Sequence, residues 1–435
     1  MLTLIYYQFQ YSKKQWLATL PVLFVASIVG GTAVNGIISL SKYPSLANTD
    51  NGPSVVFNGL IIFGGLTLFL LVSGLIRFLM ALFRKDYELW TILGTNRSQL
   101  SFLVGGQLFI VAFLFSLPGA LLSTVTTQIF YNYLQTELGK ELMPPMSISF
   151  DFFGVFVTIF IVSSIAAISG YRYTWKNLKK TSRQHFGFYL WRILGPLIVF
   201  STWIGCIVFI FSPLSISENE AMTIKMSLVT MLLLLNLMIA QFISPYIQVF
   251  VIRCLGHLMS LLSYHSVISK WLVLYDRTYL KVLQSTITMG ITLVSGFQIF
   301  LTGTGKDNAL LSFLMYLLAP LLLLLANVIS LTLLSSEQTR KDSEQFRMIG
   351  LTKINIGIIR VFEAFFHSLT AFVVSLLFNI IIFMSSNHIS KEFHNSSVES
   401  SGLYKSGIVI SLIFLIFIFI TKIINVPKLV VNIKR

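Results

Sequence analysis

The chain has 435 residues, of which 55% are hydrophobic and 11% charged, with a mean hydropathy of +0.82 and a net charge of +15. Repeated apolar stretches of about 20 residues exclude a soluble globular domain and point to an all-α polytopic membrane protein. The basic residues cluster in short loops between apolar runs, which argues against a nucleic-acid surface. The two cysteines, Cys206 and Cys254, lie in or beside apolar runs and exclude a disulfide framework.

The N-terminal MLTLIYYQFQYSKKQW places two lysines ahead of an apolar run. That run is too long for a signal-peptide core and lacks a small-residue cleavage pattern, so it reads as a retained first span. Ten apolar segments are found: 17–40, 55–80, 101–125, 150–171, 189–212, 226–251, 282–303, 309–335, 356–384 and 404–421. Each is long enough to cross about 30 Å of hydrocarbon as a helix. Helices are required because backbone polar groups inside a bilayer must pair within the protein. With ten spans both termini share one side, and that side holds 25 of the 31 lysines and arginines. The positive-inside rule makes it cytoplasmic. Two places test the count: the short 304–308 connection, TGKDN, and the segment 252–281, which also reads as an interfacial helix. The outer connections are short, the longest being 126–149 and 385–403.

One charged segment occurs twice. Residues 84–97 read RKDYELWTILGTNR and residues 340–353 read RKDSEQFRMIGLTK. A constant offset of 256 aligns Arg84 with Arg340, Lys85 with Lys341, Asp86 with Asp342, Glu88 with Glu344 and Gly94 with Gly350. It also aligns Trp90 with Phe346 and Arg97 with Lys353. The same offset carries spans two, three and four onto spans eight, nine and ten. The expected organisation is four spans, a two-span insert and four more spans: residues 1–175, 176–281 and 282–435. Both copies have the same orientation, so the repeat is parallel, about an axis along the membrane normal.

Each copy reads as a short amphipathic helix ended by a glycine in the left-handed C-terminal position. Thr95-Asn96 and Leu351-Thr352 then turn and cap the next membrane helix. A solvated charge cluster that sets topology, with the aromatic as interfacial anchor, explains the basic residues. It leaves the recurring acids unexplained, because acids contribute little to orientation. A protein-contact surface would need both signs in register.

The pattern of an acidic residue, a hydrophobic stretch, Gly and a basic residue between two long spans resembles the FtsX-like permease domain of MacB-, LolC/E- and BceB-type ABC transporters. The resemblance covers about 55–171 and 309–425, and the ten-span arrangement is similar to the BceB type. It implies that the charged helices are coupling helices that dock on a separate cytoplasmic ABC ATPase dimer, one helix per ATPase. The coupling residues would be Arg84, Lys85, Asp86, Glu88, Trp90, Gly94 and Arg97, with Arg340, Lys341, Asp342, Glu344, Phe346, Gly350 and Lys353. The large outer domain of those permeases has no counterpart in these short connections. That weighs against direct capture of a peptide or lipoprotein by a folded sensor.

No nucleotide site is read in this chain. GTGK at 303–306 lacks the earlier glycine of a phosphate loop (Phe300 stands there) and no Ser or Thr follows Lys306. No enzyme activity or cofactor is expected of the chain, and ATP would be bound by the partner subunit. The six histidines show no metal spacing. Glu363 and His367 share one face of span nine. Glu363 reads either as an interfacial residue paired with Arg360 or a neighbouring helix, or as a polar contact between repeats that shifts during transport. Asp151 reads as a helix N-terminal charge. Asn395-Ser396-Ser397 is a formal glycosylation sequon, set aside because the composition looks bacterial. Gly30-Gly31, Gly64-Gly65 and Gly105-Gly106 would permit close helix approach.

The expected function is therefore a permease subunit in a bacterial cytoplasmic membrane, both termini cytoplasmic. It would couple ATP hydrolysis to export or mechanotransmission on an amphiphile: an antimicrobial peptide, a bacteriocin or a lipid-linked molecule. The alternatives are a secondary transporter, or a scaffold driven by an ATPase that controls an envelope protein or a sensor kinase. A secondary transporter would want mid-membrane charges or broken helices matched between halves, yet Pro118 and Pro320 do not correspond.

Overall fold

A computed structural model describes residues 10, 12–43, 52–92, 94–140, 143–177, 186–213, 217–260, 263–303, 309–394, 398 and 400–424. The 304–308 connection, the sequon at 395–397 and the last eleven residues lie outside these. The described residues are helical and contain no strand. Ten helices are long and apolar enough to span a membrane: α1 (Lys13–Ser41), α2 (Pro53–Leu82), α4 (Arg97–Leu138), α5 (Phe152–Asn177), α6 (Phe186–Phe211), α7 (Glu218–Ser260), α9 (Arg277–Gly303), α10 (Ala309–Leu334), α12 (Lys353–His394) and α13 (Lys405–Ile424). Three shorter helices lie between them: α3 (Arg84–Ile92), α8 (Tyr264–Tyr275) and α11 (Ser336–Met348). The chain is an all-α polytopic membrane protein. Helix α8 occupies the segment read as interfacial and packs on α7 and α12.

The packing recurs. In the first half α4 runs along both α1 and α5, and α5 also touches α2. In the second half α12 runs along both α9 and α13, and α13 also touches α10. Between the halves α10 packs on α1 and α2, while α9 packs on α2. The insert leans mainly on the second half, with α7 against α9 and α12.

Lipid removes the usual hydrophobic drive, so close packing and buried polar bonds hold such helices together. Asn35 of α1 donates to Ser123 of α4 at 2.8 Å, and Asn379 of α12 donates to Ser295 of α9. The two bonds join equivalent helix pairs with the residue types exchanged, and each contributes about 0.6 kcal/mol. Gly31 lies against Ser123, where any Cβ would collide, while Gly65 and Gly106 face open space. In the Gly64-Gly65 and Gly105-Gly106 pairs only the first glycine is then a packing position.

Helices α4 and α12 are each 42 residues long. At 1.5 Å per residue each extends about 63 Å, roughly twice the hydrocarbon thickness. The outer stretches 126–138 and 385–394, read as loop from their polarity, continue these helices. Hydropathy marks where lipid ends, whereas a helix ends where the backbone is turned. Here Gly139, at φ 82°, turns it. The end of α4 is clad by the following segment, with Tyr131 and Leu134 against Met143, Met146 and Phe57. Asp151 caps α5 as read, accepting from the Phe153 amide at 2.9 Å.

Candidate functional site

The two amphipathic helices end in the same way. Gly94 and Gly350 have φ of 92° and 93°. The Gly94 amide bonds to Thr91 O at 3.2 Å and the Thr95 amide to Trp90 O at 3.2 Å; the Gly350 and Leu351 amides bond to Arg347 O and Phe346 O at 2.9 and 3.0 Å. This is one Schellman motif built twice, at a left-handed position that only glycine adopts without strain. The next helices are capped at matching corners. Asn96 accepts from the Ser98 amide at 3.4 Å, and Thr352 Oγ1 from the Asn355 amide at 3.3 Å. Each corner leads directly into one of the 42-residue helices.

The recurring glutamates have a local partner. Arg84 pairs with Glu88 at 2.8 Å and Arg340 with Glu344 at 3.6 Å, both one turn apart and half exposed. Pairs of this kind contribute about 0.3–0.5 kcal/mol. Helix self-stabilisation thus accounts for the repeated Arg and Glu without any partner protein. Besides the recurring Asp86 and Asp342, what the Arg–Glu pairs leave unaccounted for is apolar. Ile92 is 79% exposed and Met348, its counterpart under the offset, is 85% exposed. Leu89 and Ile349 beside them are exposed as well. Asp86, Lys341 and Lys353 are exposed, whereas the side chains of Lys85 and Arg97 lie outside those described.

The buried faces of the two helices differ. On α3 an aromatic ladder forms: Trp16 stacks on Phe83 at 5.4 Å, Phe83 meets Tyr87 at 6.2 Å, and Tyr87 meets Trp90 edge-on at 6.4 Å. Trp90 is therefore half buried against the core. On α11 the positions of Phe83 and Tyr87 are Thr339 and Ser343, both buried. Arg360 of α12 reaches them, donating to Thr339 O at 2.9 Å and to Ser343 Oγ at 3.2 Å. Asp342 is half buried beside them, and its carboxyl is held above the usual range by that burial, against the opposing pull of Arg360 and Lys422. It is not freely exposed, as its counterpart Asp86 is.

Arg360 belongs to a buried ionic cluster. It pairs with Glu363 at 2.7 Å, and Glu363 takes a second cation, Lys422 of α13. Lys422 lies over the Tyr279 ring at 5.4 Å, and that ring meets His367 edge-on at 5.9 Å. Gln284 of α9 lies 3.1 Å from His367 Nδ1. The cluster lines a partly open cavity of about 30 Å³, room for one water. Glu363 and His367 thus pair with Arg360 and with neighbouring helices, all in the second half. No hydrogen bond or ion pair from them reaches the first half among the described residues. At the counterpart positions stand Val104, Gln107, Val111 and Ala166, all buried. The same place is uncharged in one half, with Gln107 as its polar residue, and ionic in the other. Lys422 was missed by sequence reading, although its replacement of an alanine equivalent in the other repeat was a usable signal.

A second ion pair, buried on the lysine side only, lies near the far end of α12. Lys225 of α7, 1% exposed, binds Glu392 at 2.6 Å, with His388 at 3.6 Å from the same carboxylate. Among the described residues no group of His, Cys, Asp or Glu is placed to hold a metal ion. No family model, curated protein or solved structure matches the chain.

Proposed function

We propose that this membrane protein is the transmembrane subunit of an ATP-driven machine, in which α3 and α11 dock a separate cytoplasmic ATPase dimer. The observation that carries this reading is the equivalent, exposed placement of Ile92 and Met348 at two identical helix corners. Exposed apolar residues ringed by charges mark partner sites. Each corner is joined to a 42-residue helix, so displacement of a docking helix would be carried across the membrane by one rigid element. The charged-helix resemblance to FtsX-like permeases supports the same assignment. ATP would bind the partner, and the chain would lie in a bacterial cytoplasmic membrane with α3 and α11 inside. Its action would be export or mechanotransmission on an amphiphilic target. The test is co-purification in mild detergent. Ile92→Glu with Met348→Glu should abolish recovery of the ATPase while membrane insertion is retained. Wild-type recovery would sink the docking assignment.

The buried cluster around Glu363 favours a second reading, ion-coupled transport, because intramembrane charges often mark ion paths. Its uncharged counterpart in the first half weighs against that reading, which calls for paired sites. Transport abolished by a protonophore but indifferent to loss of the ATPase would favour it.

A further inference from the structure

A cavity that the docking reading does not use lies at the junction of the halves. It measures about 190 Å³ and is bounded by α2, α7, α9 and α10. At its rim stand Arg77 of α2 and Lys281 of α9, both exposed. Arg172 of α5 is close enough to act on Arg77. None of these three cations has a carboxylate within ion-pair distance among the described residues, and no Asp or Glu lines the cavity. Lys281 instead lies over the Tyr246 ring at 5.7 Å. Deeper in, Leu70, Leu71 and Met289 give an apolar wall. Asn327, fully buried there, donates to Thr286 at 3.0 Å and leaves its carbonyl oxygen without a partner.

The depth of the cations decides the ligand class. Arg77 sits near the end of α2 and Lys281 near the start of α9, both at the ends that face α3 and α11. That is headgroup level, where long basic side chains reach the interface. An unpaired cation cluster above an apolar slot between helices suits an amphiphile with a phosphate head. We propose that this cavity binds one anionic phospholipid of the leaflet on the α3 and α11 side. Its phosphodiester would lie between Arg77 and Lys281, and an acyl chain against Leu70, Leu71 and Met289. A water beside the acyl chain would satisfy the Asn327 carbonyl oxygen. The inference does not depend on the proposed function.

The shared chemistry is a phosphate anion, so the test separates lipid from free phosphate. The purified full-length protein is titrated by native mass spectrometry with phosphatidylglycerol, with phosphatidylcholine of the same chains, and with inorganic phosphate. Phosphatidylglycerol should bind at one site and raise the thermal midpoint, while the other two should do neither. R77Q/K281Q should bind it roughly thirtyfold more weakly, whereas R77K/K281R should retain it. Gly74 faces this cavity with room for a side chain, its nearest neighbours being Val282 and Gln241. Gly74→Leu should therefore block binding with both cations intact, which covers the case of a charge variant that fails to fold. Equal binding of phosphatidylcholine, binding of inorganic phosphate as tight as that of lipid, or full binding by R77Q/K281Q or Gly74→Leu would each overturn the proposal.

Discussion

Arg360 donates to the backbone carbonyl of Thr339 at 2.9 Å, and so fastens the long helix α12 to the amphipathic helix α11. The corresponding seam in the first half is aromatic, made by Trp16, Phe83, Tyr87 and Trp90. An aromatic seam resists shear through shape. An ionic seam holds firmly while its partners are in place, and becomes costly once one is removed.

That difference predicts a cost that is not additive. Glu363→Gln leaves Arg360 and Lys422 buried without a carboxylate and should destabilise by about 3–5 kcal/mol. The triple variant R360V/E363Q/K422A installs the residues of the first half, Val104, Gln107 and Ala166. It should recover at least half of that loss, because no charge is left buried. Thermal unfolding in detergent measures both. A triple variant as unstable as the single one would refute the account.

The position of Asp342 predicts a pH effect. Burial holds its folded-state pKa above the ordinary value of 3.8. Its favourable contribution is therefore fully present below that value and is lost as pH rises through the raised folded pKa. Asp342→Asn removes the titration. The variant should match the wild type near pH 3.5 and gain on it as pH rises to about 7. A stability difference that is constant across this range would show that Asp342 is not shifted.

The aromatic seam predicts unequal roles for the two repeated aromatics. Trp90 packs on Tyr87 and the main core, whereas Phe346 is half buried beside a polar seam. Trp90→Ala should cost roughly 2 kcal/mol and Phe346→Ala roughly 1, in proportion to the apolar area lost. Hydrogen exchange over 84–92 and 336–348 should show the larger loss of protection in the first helix. The reverse order would break the assignment of Trp90 as an anchor.

Topology is open to labelling. Thr136→Cys, near the tip of α4, should react with an impermeant maleimide from outside the cell, and Glu344→Cys should not. Both positions are exposed. Outside labelling of Glu344→Cys would reverse the orientation drawn from basic residues.

The ten spans and the end of each amphipathic helix were legible in the sequence, because they depend on local chemistry. Some 20 apolar residues must be helical in lipid, and a glycine at the left-handed position ends a helix wherever it stands. The length of α4 and α12 was not legible, since their outer turns are polar yet remain helical as far as Leu138 and His394. Nor was the pairing of Glu363 with Lys422, 59 positions away, or the gathering of Arg77 and Lys281 around one cavity. Only tertiary packing decides these. A charge in a membrane helix is tolerable at many depths and faces, and which partner it meets depends on how helices distant in sequence are pressed together. The sequence repeat set two like halves in place, and the tertiary structure decided that one would close around aromatic rings and the other around a buried glutamate.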